Sequence, residues 1–257
     1  MAFSESTIAA WCRSADAPMG QGATRCRRAR PRTAAASEGF TLLEITVVLL
    51  VIGLVIGAIS IGRDVHRSAV NQRIASEFVQ GWLSAYESYR LVVGVVPGDD
   101  PAAPTGAVNG TADAPLCGAD LRNAMLARGI EMPAGRAEGA NDTYVYLDSN
   151  GLPQQLAVCF VQIPWAEPGA TGGSVRVLPR NVMRLAGLTP SLATALDHFI
   201  DGRVDARFGS LRELSAAAST SVASLPWSAD DRDGMGGGIG RDENQVVNLT
   251  AALRIAY

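Results

Sequence analysis

Lysine is absent from this chain: all 22 basic side chains among its 257 residues are Arg. We read that as a bias of base composition, not as a binding surface. Charge of either sign is scarce, at 18% against about 25% in soluble domains. The formal net charge of −3 excludes the basic balance of a nucleic-acid binder. Four Cys and two His are too few for a disulfide-dense scaffold, and apolar content is too ordinary for a collagen-like or wholly disordered chain. No Gly-x-Ser-x-Gly, no His-Glu-x-x-His and no Walker-type phosphate loop occurs, so the common hydrolase and nucleotide signatures are missing. His66 and His198 belong to no such pattern and read as structural or solvated side chains. We expect no enzyme.

What the chain does have is concentrated near its start. Residues 1–39 carry six Arg against three acids, whereas residues 40–257 carry sixteen Arg against twenty-two acids. Between them runs a segment, 40–62, whose only charged residue is Glu44. As a helix it is about 34 Å long at ~1.5 Å per residue, enough to cross a ~30 Å hydrocarbon core. The Arg-rich side should stay cytoplasmic and the bulk of the chain should lie outside the inner membrane. A secretory signal would have a shorter apolar core and a small-residue cleavage site after it. A plain anchor would leave Glu44 unexplained, because an acid near a helix centre in lipid costs roughly 2.5–3.5 kcal/mol.

The segment Gly39-Phe40-Thr41-Leu42-Leu43-Glu44-Ile45 resembles the processing motif of the type IV prepilin family. The resemblance implies that a prepilin peptidase cuts after Gly39, that the Phe40 amine is then N-methylated, and that the mature chain begins inside its own membrane helix. It also implies extraction of the subunit into a filament by an inner-membrane assembly platform. On that view Glu44 pairs with the Phe40 amine of a neighbouring subunit, which would compensate two buried charges and fix axial register. The other reading is a Glu hydrated at the headgroups. The chain departs from the family where Glu38 replaces the usual basic residue and where Ile61 stands at a position often Pro in major pilins. A start at Met19 would shorten the leader from 39 to 21 residues. Gly53, Gly57 and Gly62 either weaken this helix, at about 1 kcal/mol each relative to Ala, or allow close helix–helix packing.

Beyond Gly62 the pattern changes. Val70, Ile74, Phe78, Trp82 and Tyr86 recur every four residues, flanked by Val79, Leu83 and Tyr89. That predicts an amphipathic helix continuing from the apolar one, its aromatics packed in a core, and ending near Val93-Gly94 before Pro97-Gly98. The remainder reads as a helix at Leu116–Ile130, strands at Asn141–Asp148 and Gln155–Ile163 about a Ser149-Asn150-Gly151 turn, and a strand at Val175–Leu178. A helix at Ser191–Ile200 and a strand at Val246–Ile255 complete it, with loops at 99–115 and 229–244. Helices and strands do not alternate regularly, so the expectation is α+β: a long helix packed on an antiparallel sheet, pilin-like. The divisions are a leader at 1–39, a membrane and polymerisation helix at 40–62, an amphipathic helix at 63–94 and a periplasmic or extracellular head at 95–257.

Two weaker likenesses lie in the head. Pro97-Gly98-Asp99 directly after a Tyr-rich helix end, and Ala195-Leu196-Asp197-His198-Phe199-Ile200-Asp201-Gly202, are similar to segments found in a subset of pilin-like proteins. Cys12 and Cys26 would be lost with the leader. Cys117 and Cys159 would remain in an oxidising compartment, where an even pair predicts a disulfide; two buried thiols are the alternative. Asp230, Asp231, Asp233 and Asp242 flank a Gly-rich run that either holds Ca²⁺ or is a solvated loop, without the EF-hand spacing. The function expected is a minor pilin of a type IV pilus or a type II secretion pseudopilin, partnered by other such subunits. The alternative is an adhesin or DNA-uptake pilin, although an acidic mature domain argues against nucleic-acid binding by this subunit alone.

Overall fold

The structure is a computed structural model and describes residues 40–136, 140–171, 173–228 and 246–255. It is α+β, with an apolar N-terminal helix and an antiparallel sheet. The chain divides into two units, residues 1–52 and 53–257. Of the first, Phe40–Ile52 is described, helical from Leu42 and exposed throughout.

Helix α1 spans Leu42–Arg73, a π-helical turn follows at Ile74–Val79, and α2 spans Gln80–Val93. The turn corrects the expectation of one regular amphipathic helix, and the stripe itself supplies the reason. Each step of four overshoots a 3.6-residue turn by about 40°, so a straight helix would carry Tyr86 about 160° round from Val70. A π segment has more residues per turn and takes up that drift. Ile74, Phe78, Trp82 and Tyr86 are consequently all buried in one core. Gly94, left-handed at φ 86°, ends α2 where expected.

The stripe packs on one face of a six-stranded sheet. Its strands are β1 (Leu116–Cys117), β2 (Thr143–Leu147), β3 (Pro153–Pro168), β4 (Val175–Leu188), β5 (Leu211–Glu213) and β6 (Leu249–Arg254). All pairings are antiparallel, in the order β1-β3-β4-β6-β5, with β2 on β3 as well. Leu156, Val158 and Phe160 of β3 alternate toward α2, as a half-buried strand requires. The ring centroids of Phe78 and Tyr144 lie 5.3 Å apart, and those of Tyr86 and Phe160 5.0 Å apart. Each large side chain buried this way contributes about 1.5–3 kcal/mol. On the opposite face Val161, Trp165, Val182, Ala217 and Ala252 form a smaller cluster. There the Arg212 guanidinium lies 4.3 Å from the Trp165 ring centre and donates to the carbonyls of Ala166 and Ala217.

Several boundaries differ from the sequence reading. Leu116 and Cys117 are a strand edge opposite Phe160 and Cys159, so helix α3 begins only at Gly118 and runs to Leu126. Strand β3 continues to Pro168, and β4 runs ten residues past Leu178. Pro179, inside β4, faces Pro164 in register. Among the described residues β1 reaches only to Phe160 and β6 only to Val182, so neither Pro has a strand partner on its outer flank; beside Pro164 that flank is taken instead by Asp113 and Ala217, bonded to Gln162 and Ala166. The last strand is Leu249–Arg254, shorter than expected, and β5 had no sequence signal. The turn at 149–151 and helix α4 (Pro190–Asp201) fall as expected. Thr189 caps α4 by accepting from the Leu192 N–H, with Pro190 in the first turn.

A bulge precedes that cap. The β4–β6 register shifts between Ala186 and Leu188, with Gly187 at φ 87°. A Cβ at Gly187 would meet the Gln155 carbonyl at 2.1 Å. The Tyr146 hydroxyl pins the bulge, donating to the Gly187 carbonyl and accepting from the Thr189 N–H, both at 2.8 Å.

Candidate functional site

The segment singled out by sequence begins the described chain. Gly39 lies outside the described residues. Phe40 is exposed, and Thr41 closes the first turn: the Glu44 N–H donates to the Thr41 carbonyl at 3.0 Å and to its Oγ1 at 3.2 Å. This makes Thr41 the N-cap and places Glu44 third in the helix, where its charge favours the helix dipole. Thr-x-x-Glu is a capping-box pattern, a signal in the sequence that went unread. Glu44 thus has a local role at the helix start, whatever it does between subunits. The window Leu42–Ile59 has a mean hydropathy of 2.8 and no buried share. It is long and apolar enough to cross a membrane. A Cβ at Gly53, Gly57 or Gly62 would meet nothing within 4 Å.

Cys117 and Cys159 are joined by a disulfide. It ties the start of α3 to the central strand and, for residues 42 apart, contributes about 4 kcal/mol on the chain-entropy model. Arg184, opposite Cys159 in register, reaches both sulfurs at 3.6–3.7 Å.

Of the two segments likened to pilin-like proteins, 97–99 is a turn and 195–201 is the last part of α4; carboxylates from both organise the loops beside them. Asp99 is buried; its oxygens accept the N–H groups of Asp100, Thr105 and Gly106 and the Thr105 hydroxyl. Burial alone would raise its pKa, but these donors outweigh it and hold the carboxyl below its ordinary value. Asp201 accepts from Ser210 and Leu211, and Asp205 from Arg207, Phe208, Leu225 and the Ser224 hydroxyl. Asp197 is fully buried and accepts from the Asp205 N–H and the Trp227 indole through one oxygen. Among the described residues its other oxygen has no partner. Burial, with the nearby charges of Asp201 and Asp205, pushes its pKa up to about 6. Together these acids hold the 201–228 segment against α4 and β5.

Such carboxylates spend their lone pairs on backbone donors rather than on a ligand. Among the described residues no group of three or more His, Cys, Asp or Glu side chains is placed to hold a metal. Asp230, Asp231, Asp233 and Asp242, the Ca²⁺ candidates, lie outside the described residues. His198 is exposed on α4, and His66 is exposed on α1. A second carboxylate site, Glu167, joins strand ends: Arg180 grips it through two nitrogens, at 2.7 and 2.9 Å, and Arg254 adds a third contact. The Arg180 hydrogen bonds hold its pKa below the ordinary value despite burial. No family model, no curated protein and no solved structure matches this chain.

Proposed function

We propose that this chain is a non-enzymatic filament subunit, a minor pilin or pseudopilin of a type IV pilus or type II secretion system. A prepilin peptidase cuts it after Gly39, and the mature subunit sits in the inner membrane through its N-terminal helix with the head outside. It then joins other such subunits. The observation that carries the reading is the sequence Gly39-Phe40-Thr41-Leu42-Leu43-Glu44 at the start of an exposed apolar helix. A leader cleaved at that point frees an amine four residues before an acid. The α+β head is compatible with this class and supports it only coarsely.

The intact mass and N-terminal sequence of the mature protein test the proposal. An N-methylated Phe40 is expected; retention of residues 1–39, or trimming beyond Gly62, overturns it. Glu44 is tested by assembly. Because Glu44 also favours the helix start, Glu44→Gln is the informative change: it keeps a capping side chain and removes the charge. Both Glu44→Gln and Glu44→Val should still reach the membrane and be lost from filaments. Normal incorporation of Glu44→Gln would show that no ion pair is needed.

A further inference from the structure

A groove of about 680 Å³ runs between the second half of α1 and the β2–β3 turn. Ile59, His66, Arg67 and Val70 line it in that order along the helix, and Leu147 of β2 and Arg136 complete the lining. Its size is that of a small-molecule site. The two guanidiniums have no carboxylate partner among the described residues. Arg67 donates to the Ser149 carbonyl at 3.3 Å, and Arg136 lies 5.5 Å from the Tyr144 ring centre, contacts that leave both charges uncompensated. Asp148 also lines the groove, but its carboxylate is taken by the N–H groups of Asn150 and Leu152 and by the Gln154 amide.

We infer that this groove binds an anionic membrane phospholipid, with the phosphate on Arg67, Arg136 and His66 and an acyl chain along Ile59. The inference rests on the membrane-spanning part of the function proposed above. Depth and chemistry support it together. Gly62 ends the apolar run, and at ~1.5 Å per residue His66 and Arg67 lie about 6 and 7.5 Å farther along the helix. A headgroup layer is about 5–8 Å deep on each side of the hydrocarbon core. Two guanidiniums offer paired donors in the geometry that phosphate oxygens accept.

Native mass spectrometry of the full chain released from detergent micelles, with phosphatidylglycerol or phosphatidylcholine added, tests the site. Phosphatidylglycerol should be retained about tenfold more strongly. Arg67→Gln with Arg136→Gln should reduce it to the phosphatidylcholine level, whereas Arg67→Lys with Arg136→Lys, which conserves charge, should keep the preference. Equal retention of the two lipids by the wild type, or a preference unmoved by the Gln pair, overturns the inference. So does displacement of phosphatidylglycerol by inorganic phosphate, which would make the groove a free-phosphate site. Alkaline carbonate extraction separates this failure from that of the underlying reading. A chain washed off membranes does not span them; a chain that stays but shows no lipid preference refutes the groove alone.

Discussion

Two stretches of helix in this chain carry large apolar side chains and meet opposite fates. Leu42–Ile59 exposes every described side chain, Leu42 by 83% and Leu54 by 68%, whereas Ile74, Phe78 and Trp82 are 0% exposed. Composition and spacing both separate them: Glu44 is the one charge in the first, whereas Arg73, Glu77 and Glu87 interrupt the second. The first stretch is apolar on all sides, so no face is reserved for the protein, which is the pattern of a helix whose partner is lipid or other helices. The second confines its apolar residues to one stripe and opposes it with Arg73 and Glu77, which pair with each other in the solvent. An all-round apolar helix asks for an environment, and a striped one brings its own.

The comparison is broken most directly by trimming one large side chain in each stretch. Phe78→Ala should cost about 3–5 kcal/mol of unfolding free energy, measured by denaturant titration, while Val51→Ala should change it by less than about 0.5 kcal/mol. Equal losses would mean that the first stretch also belongs to the folded core. Next in size is the disulfide. Cys117→Ala with Cys159→Ala should destabilise the head by about 2–5 kcal/mol and leave the share of chain in the membrane fraction unchanged. A fall in that share would tie insertion to the head's integrity. The smallest effect concerns Asp197. Its folded pKa of about 6 lies above its unfolded 3.8, so the folded head keeps a proton that the unfolded chain releases. The stabilisation from this group is complete below the unfolded value and is lost as pH rises from about 4 to 6, a change on the order of 2 kcal/mol. Asp197→Asn should flatten stability over that window, and parallel curves for the two proteins would refute the assignment.

Local patterns carried much of the fold. The Tyr86 stripe, the Gly94 stop, the Ser149-Asn150-Gly151 turn and the α4 helix follow from spacing and turn chemistry within a few residues. What was illegible depended on partners distant in the chain. Leu116 and Cys117 read as helix because their strand character comes from Phe160 and Cys159, some forty residues away. The reach of β4 past Leu178 was illegible because it comes from pairing with β3. The π turn was present as the strict four-residue repeat, an interval too long for an α-helix to keep on one face. At the start of α1 the capping role of Thr41 was legible as Thr-x-x-Glu. Asp99, Asp197 and Asp201 were marked by likeness alone, since nothing in their spacing announces which backbone amides they will hold.

The facing prolines of β3 and β4 matter beyond the hairpin they share. A bare ladder of amides at a sheet edge is an invitation to stack sheets out of turn. Pro164 and Pro179 withhold a donor at the same level of both strands. Growth by edge addition is thereby discouraged at that level of the hairpin.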